Sequence, residues 1–243
     1  MNRSIQTVED VLTLLDALFE ERADRWTDRG GAAWWDRFYA DRGRGVPFFA
    51  DAPEESLVGW VDAGDLPVGP GTRVLELGCG PGRNAVWLAR RGAHVDALDL
   101  SEEALAWGRE RAAEAGVDVR FVRSDIFAWS GGEEPYDLVL DSGCFHHLPP
   151  HRRISYRALL ERSVRPGGSF ALTCFAAGAM GCEDPDEALY RDGGLGGGLA
   201  YSAQELRATF GWLTEIELRR MRAQPEGSGL FGEPFLWTGL FRR

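Results

Sequence analysis

Residues 73–83 read Arg-Val-Leu-Glu-Leu-Gly-Cys-Gly-Pro-Gly-Arg, a short apolar run broken by three glycines before a helical pattern resumes at Asn84. Of everything in the chain, this segment most limits the fold. Glycines at 78, 80 and 82 let the backbone turn sharply and let a ligand approach without Cβ atoms in the way. A helix starting at Gly82 offers unpaired N–H groups and a positive dipole end to a carboxylate. Strand, glycine turn and helix in that order open a parallel sheet. A bare turn of this kind also occurs as a purely structural connection, so the residues that follow decide its meaning.

They continue the alternation expected of a sheet wrapped by helices. Strands are predicted at Arg73–Leu77, His94–Leu98, Val119–Arg123, Tyr136–Leu140 and Ser169–Cys174, with two more near Glu215–Met221 and Phe235–Phe241. Helices are predicted at Asn84–Arg91, from Ser101 to about Ala115 with Ser101 as cap, at Pro149–Val164 and at Ser202–Phe210. Before this unit, Val8, Val11, Leu12, Leu15, Leu18 and Phe19 recur at helical spacing, so the stretch from Thr7 to about Trp26 reads as an amphipathic helix. An aromatic segment follows, with Trp34, Trp35, Phe38 and Tyr39, then Phe48 and Phe49 after a Gly/Pro loop. The expected organisation is an N-terminal helical and aromatic cover over 1–60 and an α/β domain over 61–243, a mostly parallel sheet with an antiparallel C-terminal hairpin.

Charge narrows the partners. The net charge is -11 and every basic residue is Arg, with Arg219, Arg220 and Arg222 the densest cluster. A field of that sign repels phosphate backbones, so no nucleic-acid partner is expected. No apolar run reaches the roughly 20 residues of a membrane span. Met1–Ser4 is followed by Glu9, Asp10 and Asp16, acids foreign to a signal peptide, and a cytoplasmic protein is expected. Cys79, Cys144, Cys174 and Cys182 contain no C-x-x-C pair, so neither a disulfide framework nor a metal centre is expected, even with His146, His147 and His151 nearby.

Asp99 closes the second strand in Leu98-Asp99-Leu100-Ser101, about 20 residues after the glycine turn, where an acid can grip a ribose diol. Ser101 is already in place to cap the next helix, which frees Asp99 for that role. Nicotinamide enzymes share both features, but their fingerprint spaces its glycines G-x-G-x-x-G, whereas here they fall at 78, 80 and 82 with Arg83 in the last slot. That spacing suits a ligand bringing an amino-acid end rather than a pyrophosphate. A nicotinamide-dependent oxidoreductase also lacks its Tyr-x-x-x-Lys pair in a chain without Lys.

Together with Arg123-Ser124-Asp125-Ile126, Tyr136–Asp141 and Val164-Arg165-Pro166-Gly167-Gly168, these blocks resemble the class I S-adenosylmethionine-dependent methyltransferases over residues 72 to 175. The resemblance implies a Rossmann-like seven-stranded sheet and S-adenosylmethionine as cofactor. It further implies that Gly78 and Gly80 lie along the methionine part, that Asp99 binds the ribose hydroxyls, and that Asp125 and Ile126 meet the adenine. The candidate cofactor-binding set is Glu76, Gly78, Cys79, Gly80, Gly82, Asp99, Leu100, Asp125, Ile126 and Asp141. The segment Asp141–Pro150, running on to Arg152, Arg153 and Tyr156, is similar to small-molecule enzymes of the thiopurine and thiol/halide branch, and it lacks the N-P-P-Y motif of nucleic-acid and protein methylation. A small-molecule acceptor methylated on O, N or S is therefore expected, with a catalytically silent cofactor-binding protein as the alternative.

On the acceptor side, His146 and His147 are the candidate general bases, at the strand end where such sheets open their clefts. His147 is expected to back the cofactor and His146 to face the acceptor. The aromatic segment Trp34–Phe49 is expected to wall the pocket, the Gly-rich loop Asp192–Leu199 to form a flap, and Tyr201 to point into the site.

Overall fold

Val74, Leu75 and Leu77 are wholly buried because the strand they form, β1 (Arg73–Leu77), is covered on both faces. In the computed structural model, which describes residues 5–19, 24–132, 134–225 and 227–243, β1 lies at the centre of a seven-stranded sheet. The strands β2 (His94–Asp99), β3 (Arg120–Arg123), β4 (Tyr136–Ser142), β5 (Val164–Phe175), β6 (Thr214–Arg220) and β7 (Leu236–Arg242) complete it in the order β3-β2-β1-β4-β5-β7-β6. The first five run parallel, and β7 is antiparallel to both β5 and β6. The chain leaves β1 towards β2 and β3, then returns to β4 on the other side. Such a reversal opens a cleft outside the carboxyl ends of the strands.

Alternation along the strands builds two cores. Leu75, Leu77, Leu98, Val139 and Phe170 point to α6 (Arg152–Ser163) and α8 (Ala203–Phe210), meeting Tyr156, Leu159, Leu160 and Phe210. Val74, Val95, Ala97, Leu138 and Leu140 point the opposite way, to α3 (Glu55–Ala63), α4 (Arg83–Arg90) and α5 (Glu102–Ala115). Residue 101 caps α5 as expected: Ser101 Oγ accepts from Ala104 N–H at 3.1 Å, which orders the start of that helix.

The N-terminal reading needs correction. Thr7 caps α1 (Val8–Asp16) in a capping box, but the helix stops at Asp16 rather than near Trp26; residues 1–4 and 20–23 lie outside the described residues. Asp16, the last residue of α1, points inward. It accepts from Trp26 Nε1 at 3.1 Å and from Arg152 Nε at 3.0 Å, and lies 2.8 Å from His151 Nε2. The aromatic segment forms α2 (Gly31–Ala40), followed by a 3₁₀ turn at Pro47–Phe49. α3 and α7 (Asp186–Asp192) are additional helices, α6 starts only after Pro149 and Pro150, and β5 begins five residues early, where Val164 pairs with Tyr136 across a bulge. No helix among the described residues is long and apolar enough to cross a membrane.

Candidate functional site

The glycine turn forms the floor of the cleft. Gly78 and Gly82 adopt φ of 64° and 71°, and a Cβ there would lie 2.8 Å from Cys144 Cβ and from the Phe121 ring respectively. Neither position admits a side chain. The turn is braced by β2: Cys79 N–H donates to Leu98 O at 2.8 Å and Gly80 N–H to Asp99 Oδ2 at 2.8 Å. Gly82 N–H, expected to be open to a carboxylate, instead donates to Cys79 O at 3.0 Å. The turn spends its own donors on holding its shape.

Asp99 lines the cavity above this turn, accepting a second bond from Ser101 N–H at 2.9 Å. Burial pushes its carboxyl up to about 6, against the backbone donors of Ser101 and Gly80. A carboxylate offers about four lone-pair directions, so Asp99 keeps acceptor capacity for a ligand diol. Leu100, Ser124 and Ile126 continue the same wall. Asp125 stands just off it, half-buried, with Oδ1 accepting from Phe127 N–H at 2.8 Å and its carboxyl raised by burial to about 6.

Glu76, Cys79, Gly80, Gly82 and Asp141 sit behind the lining rather than on it. Glu76 is wholly buried beside α4, and desolvation raises it to about 8; Oε1 accepts from Asn84 Nδ2 at 3.4 Å, while Oε2 has no partner among the described residues. Asp141 is consumed locally. Its Oδ1 accepts from the N–H groups of Gly143, Cys144 and Phe145, and its Oδ2 from Tyr156 Oη at 2.7 Å. It shapes the turn that presents His146 and His147.

The cavity has a volume of about 390 Å³ and is mostly apolar. The N-terminal aromatics supply one wall, with Trp34, Trp35, Phe38 and Phe48 on the lining; Phe49 packs behind them. Phe175, Phe231 and Phe235 supply the facing wall. Tyr201, expected in the site, is turned away: it is buried, stacks on Phe145 at 4.9 Å and accepts from Arg153 Nε at 3.3 Å. The Gly-rich loop reaches the site through Leu199 N–H, which donates to His146 O at 2.6 Å, and through Gly198, whose added Cβ would lie 3.0 Å from the His146 ring.

His146 and His147 both line the cavity, their rings 4.3 Å apart, with His146 stacked on Phe175 at 3.7 Å. Burial drives the His146 imidazole well below its ordinary value, helped by His147. Burial and the Arg25 charge take His147 down to about 3. Both rings are neutral at neutral pH, and both Nδ1 atoms are buried without a partner among the described residues.

One part of the site escaped the sequence reading. Glu54, wholly buried, accepts from Arg83 Nη2 at 3.1 Å and from Thr173 Oγ1 at 3.0 Å; Arg83 Nη2 also donates to Ser142 Oγ at 2.8 Å. Arg83, Ser142 and Thr173 lie on the lining, and the Arg83 guanidinium covers the Phe231 ring at 3.7 Å. Glu54 carries no periodic signal, and Arg83 read only as the residue that breaks the nicotinamide fingerprint.

Residues 74–168 match a family described as methyltransferase domain. Thiocyanate methyltransferase 1 of Arabidopsis thaliana is 30% identical over 167 residues, 68% of this chain and 66% of that protein. The 2-heptyl-1-hydroxyquinolin-4(1H)-one methyltransferase of Mycobacteroides abscessus is 32% identical over 108 residues, 44% of this chain and 48% of that protein. This chain spans about half the length of the curated relatives it matches, 48%, 49% and 40% of three of them. Among solved structures, one described by the conversion of a disulfide bond into a thioacetal group during echinomycin biosynthesis is 26% identical, with a TM-score of 0.68 over 87% of this chain and 92% of that one.

Proposed function

Because the chain belongs to the class I S-adenosylmethionine-dependent methyltransferases, we propose that it methylates an N or S atom of a small, largely apolar molecule. The observation that carries this reading is the cavity itself. It runs from the glycine turn and Asp99 to a wall of Trp34, Trp35, Phe38 and Phe48 without a break.

The residues present fit the cofactor. Asp99 has acceptor capacity to spare for ribose hydroxyls, and Leu100 and Ile126 offer an apolar seat beside it for adenine. Glu76, behind the lining and raised by burial to about 8, backs the turn rather than facing the ligand. S-adenosylmethionine supplies an electrophilic methyl group on a sulfonium. The protein's contribution is to hold an acceptor lone pair in line and exclude water, and such alignment accounts for ~7–11 kcal/mol in well-oriented reactions.

His147, held at about 3, and His146, held by burial well below its ordinary value, are weak bases here and give little driving force for removing a hydroxyl proton. We therefore place them as neutral walls of the acceptor site. An aromatic amine, a thioether or an ionised thiol presents its lone pair at neutral pH without their help. The names of the thiocyanate and disulfide-to-thioacetal relatives support a sulfur acceptor.

The test is release of S-adenosylhomocysteine with a panel of aromatic thiols, thioethers, amines and phenols. Turnover of sulfur or nitrogen acceptors ahead of phenols of matched size is expected. Preference for phenols would reverse the assignment of the acceptor atom. Cofactor binding without turnover of any class would leave a silent binding protein.

A further inference from the structure

Tyr39, on the last turn of α2, brings a hydroxyl to the glycine turn. It is 7% exposed and lines the cavity, and a Cβ built on Gly80 would lie 2.9 Å from its Oη. The hydroxyl therefore rests against bare backbone where a side chain would otherwise stand. It has no hydrogen-bond partner among the described residues. Its ring cannot swing freely: it stacks on Phe49 at 5.5 Å and on Trp35 at 5.8 Å, with the Phe38 edge at 5.4 Å. Burial, with Asp99 and Cys79 nearby, holds the phenol well above its ordinary value, so it stays protonated and able to donate.

Three of the turn's backbone donors are already engaged within the fold. The N–H groups of Cys79, Gly80 and Gly82 bond to Leu98, Asp99 and Cys79 respectively, and residue 81 is Pro. Arg25, a cation on the same lining, donates Nη1 to Gly197 O at 3.1 Å and covers the Trp34 ring at 4.0 Å. An amino-acid end arriving at the turn finds the Tyr39 hydroxyl as a fixed donor. The hydroxyl sits on the cavity lining beside the turn, where it can donate to an acceptor that a ligand brings.

We infer that the Tyr39 hydroxyl donates a hydrogen bond to the carboxylate of the cofactor's methionyl end, making the N-terminal cover part of the cofactor site. The inference rests on the reading of the cavity as a cofactor site. It adds a functional reason for the position of α2.

Titration calorimetry of the full chain with S-adenosylhomocysteine and with 5′-methylthioadenosine, which lacks the amino-acid end, tests it in wild type and Tyr39→Phe. Phe keeps the ring packing, and circular dichroism checks the fold. A charge-assisted bond to a carboxylate corresponds to about a tenfold change in dissociation constant. Tyr39→Phe should lose about tenfold for S-adenosylhomocysteine and nothing for 5′-methylthioadenosine. Equal affinity of both proteins for S-adenosylhomocysteine overturns the Tyr39 assignment alone. An equal loss for both ligands overturns it too, since the phenol would then act through packing. A wild type that binds neither ligand removes the cofactor site and this assignment with it.

Discussion

The Asp99 carboxylate accepts the backbone N–H of Gly80 at 2.8 Å, so the acid that ends β2 also locks the glycine turn that follows β1. In the proposed cofactor site, the same side chain would serve both ligand recognition and loop geometry. Asp99→Ala should weaken S-adenosylhomocysteine at least about tenfold, by removing charge-assisted bonds worth roughly 1.5–3 kcal/mol each and by loosening the turn. Asp99→Asn keeps an acceptor oxygen for Gly80 and should fall between wild type and Ala. Calorimetry decides it, and an unchanged affinity in a folded Ala variant would reduce Asp99 to a brace.

Stability should depend on pH in an unusual direction. Burial raises Asp99, Asp125 and Asp141 to about 6 and Glu76 to about 8. Between their ordinary values and these raised ones, the folded state binds more protons than the unfolded chain, so stability falls as pH rises. Asp16 works the other way. Burial opposes its ionisation, but hydrogen bonds from His151, Arg152 and Trp26 outweigh that and hold it at about 2, so its stabilisation is lost as pH falls below its ordinary value towards 2. Below about pH 6.5 the buried histidines oppose this fall, because the unfolded chain protonates them and the folded one does not. The ligand-free protein should therefore melt higher near about pH 6.5 than near about pH 8. In Glu76→Gln the decline above about pH 6 should flatten; an unaltered slope in differential scanning calorimetry would mean that Glu76 does not carry it.

The histidines give a kinetic prediction. With His147 at about 3 and His146 also well below its ordinary value, neither histidine should contribute an inflection to kcat for a sulfur acceptor between about pH 6 and 7. His147→Gln should cost less than the ~10²–10⁴ typical of losing a general base. Single-turnover rates read this directly. An inflection in that range that disappears in His147→Gln would restore the base role.

Arg83 and Glu54 form a pair at 3.1 Å with side chains 7% and 1% exposed. Removing one partner of such a pair strands the other, at a cost of about 3–5 kcal/mol. Arg83→Met should destabilise by that order, and Arg83→Met with Glu54→Gln should recover a large part. Denaturant melts of both variants and the wild type test it. A double variant no more stable than the single one would mean that the charge left on Glu54 is not the source of the loss.

The central fold was legible because its signals are local. The apolar run at Val74–Leu77, the glycines at 78, 80 and 82, and Ser101 with Glu102 and Glu103 each act on neighbours a few residues away, and β1, α4, β2 and α5 fall within a residue or two of expectation. The same holds for Asp99, which follows the turn at a spacing set by one βαβ unit. The aromatic segment was legible as wall material for the cavity but not as the helix α2 that it forms. What sequence reading missed depends on partners far along the chain. Asp16, at the end of α1, is held by His151 and Arg152, 135 and 136 residues away. Glu54 joins Thr173 across 119 residues and Arg83 across 29, and no periodic pattern marks such a meeting. The histidines show the divide most clearly. Their place at the end of β4 follows from sequence, but burial against Phe175 and the Arg25 charge set their protonation. Desolvation belongs to the assembled cavity, so only the tertiary structure could turn two candidate bases into two neutral rings.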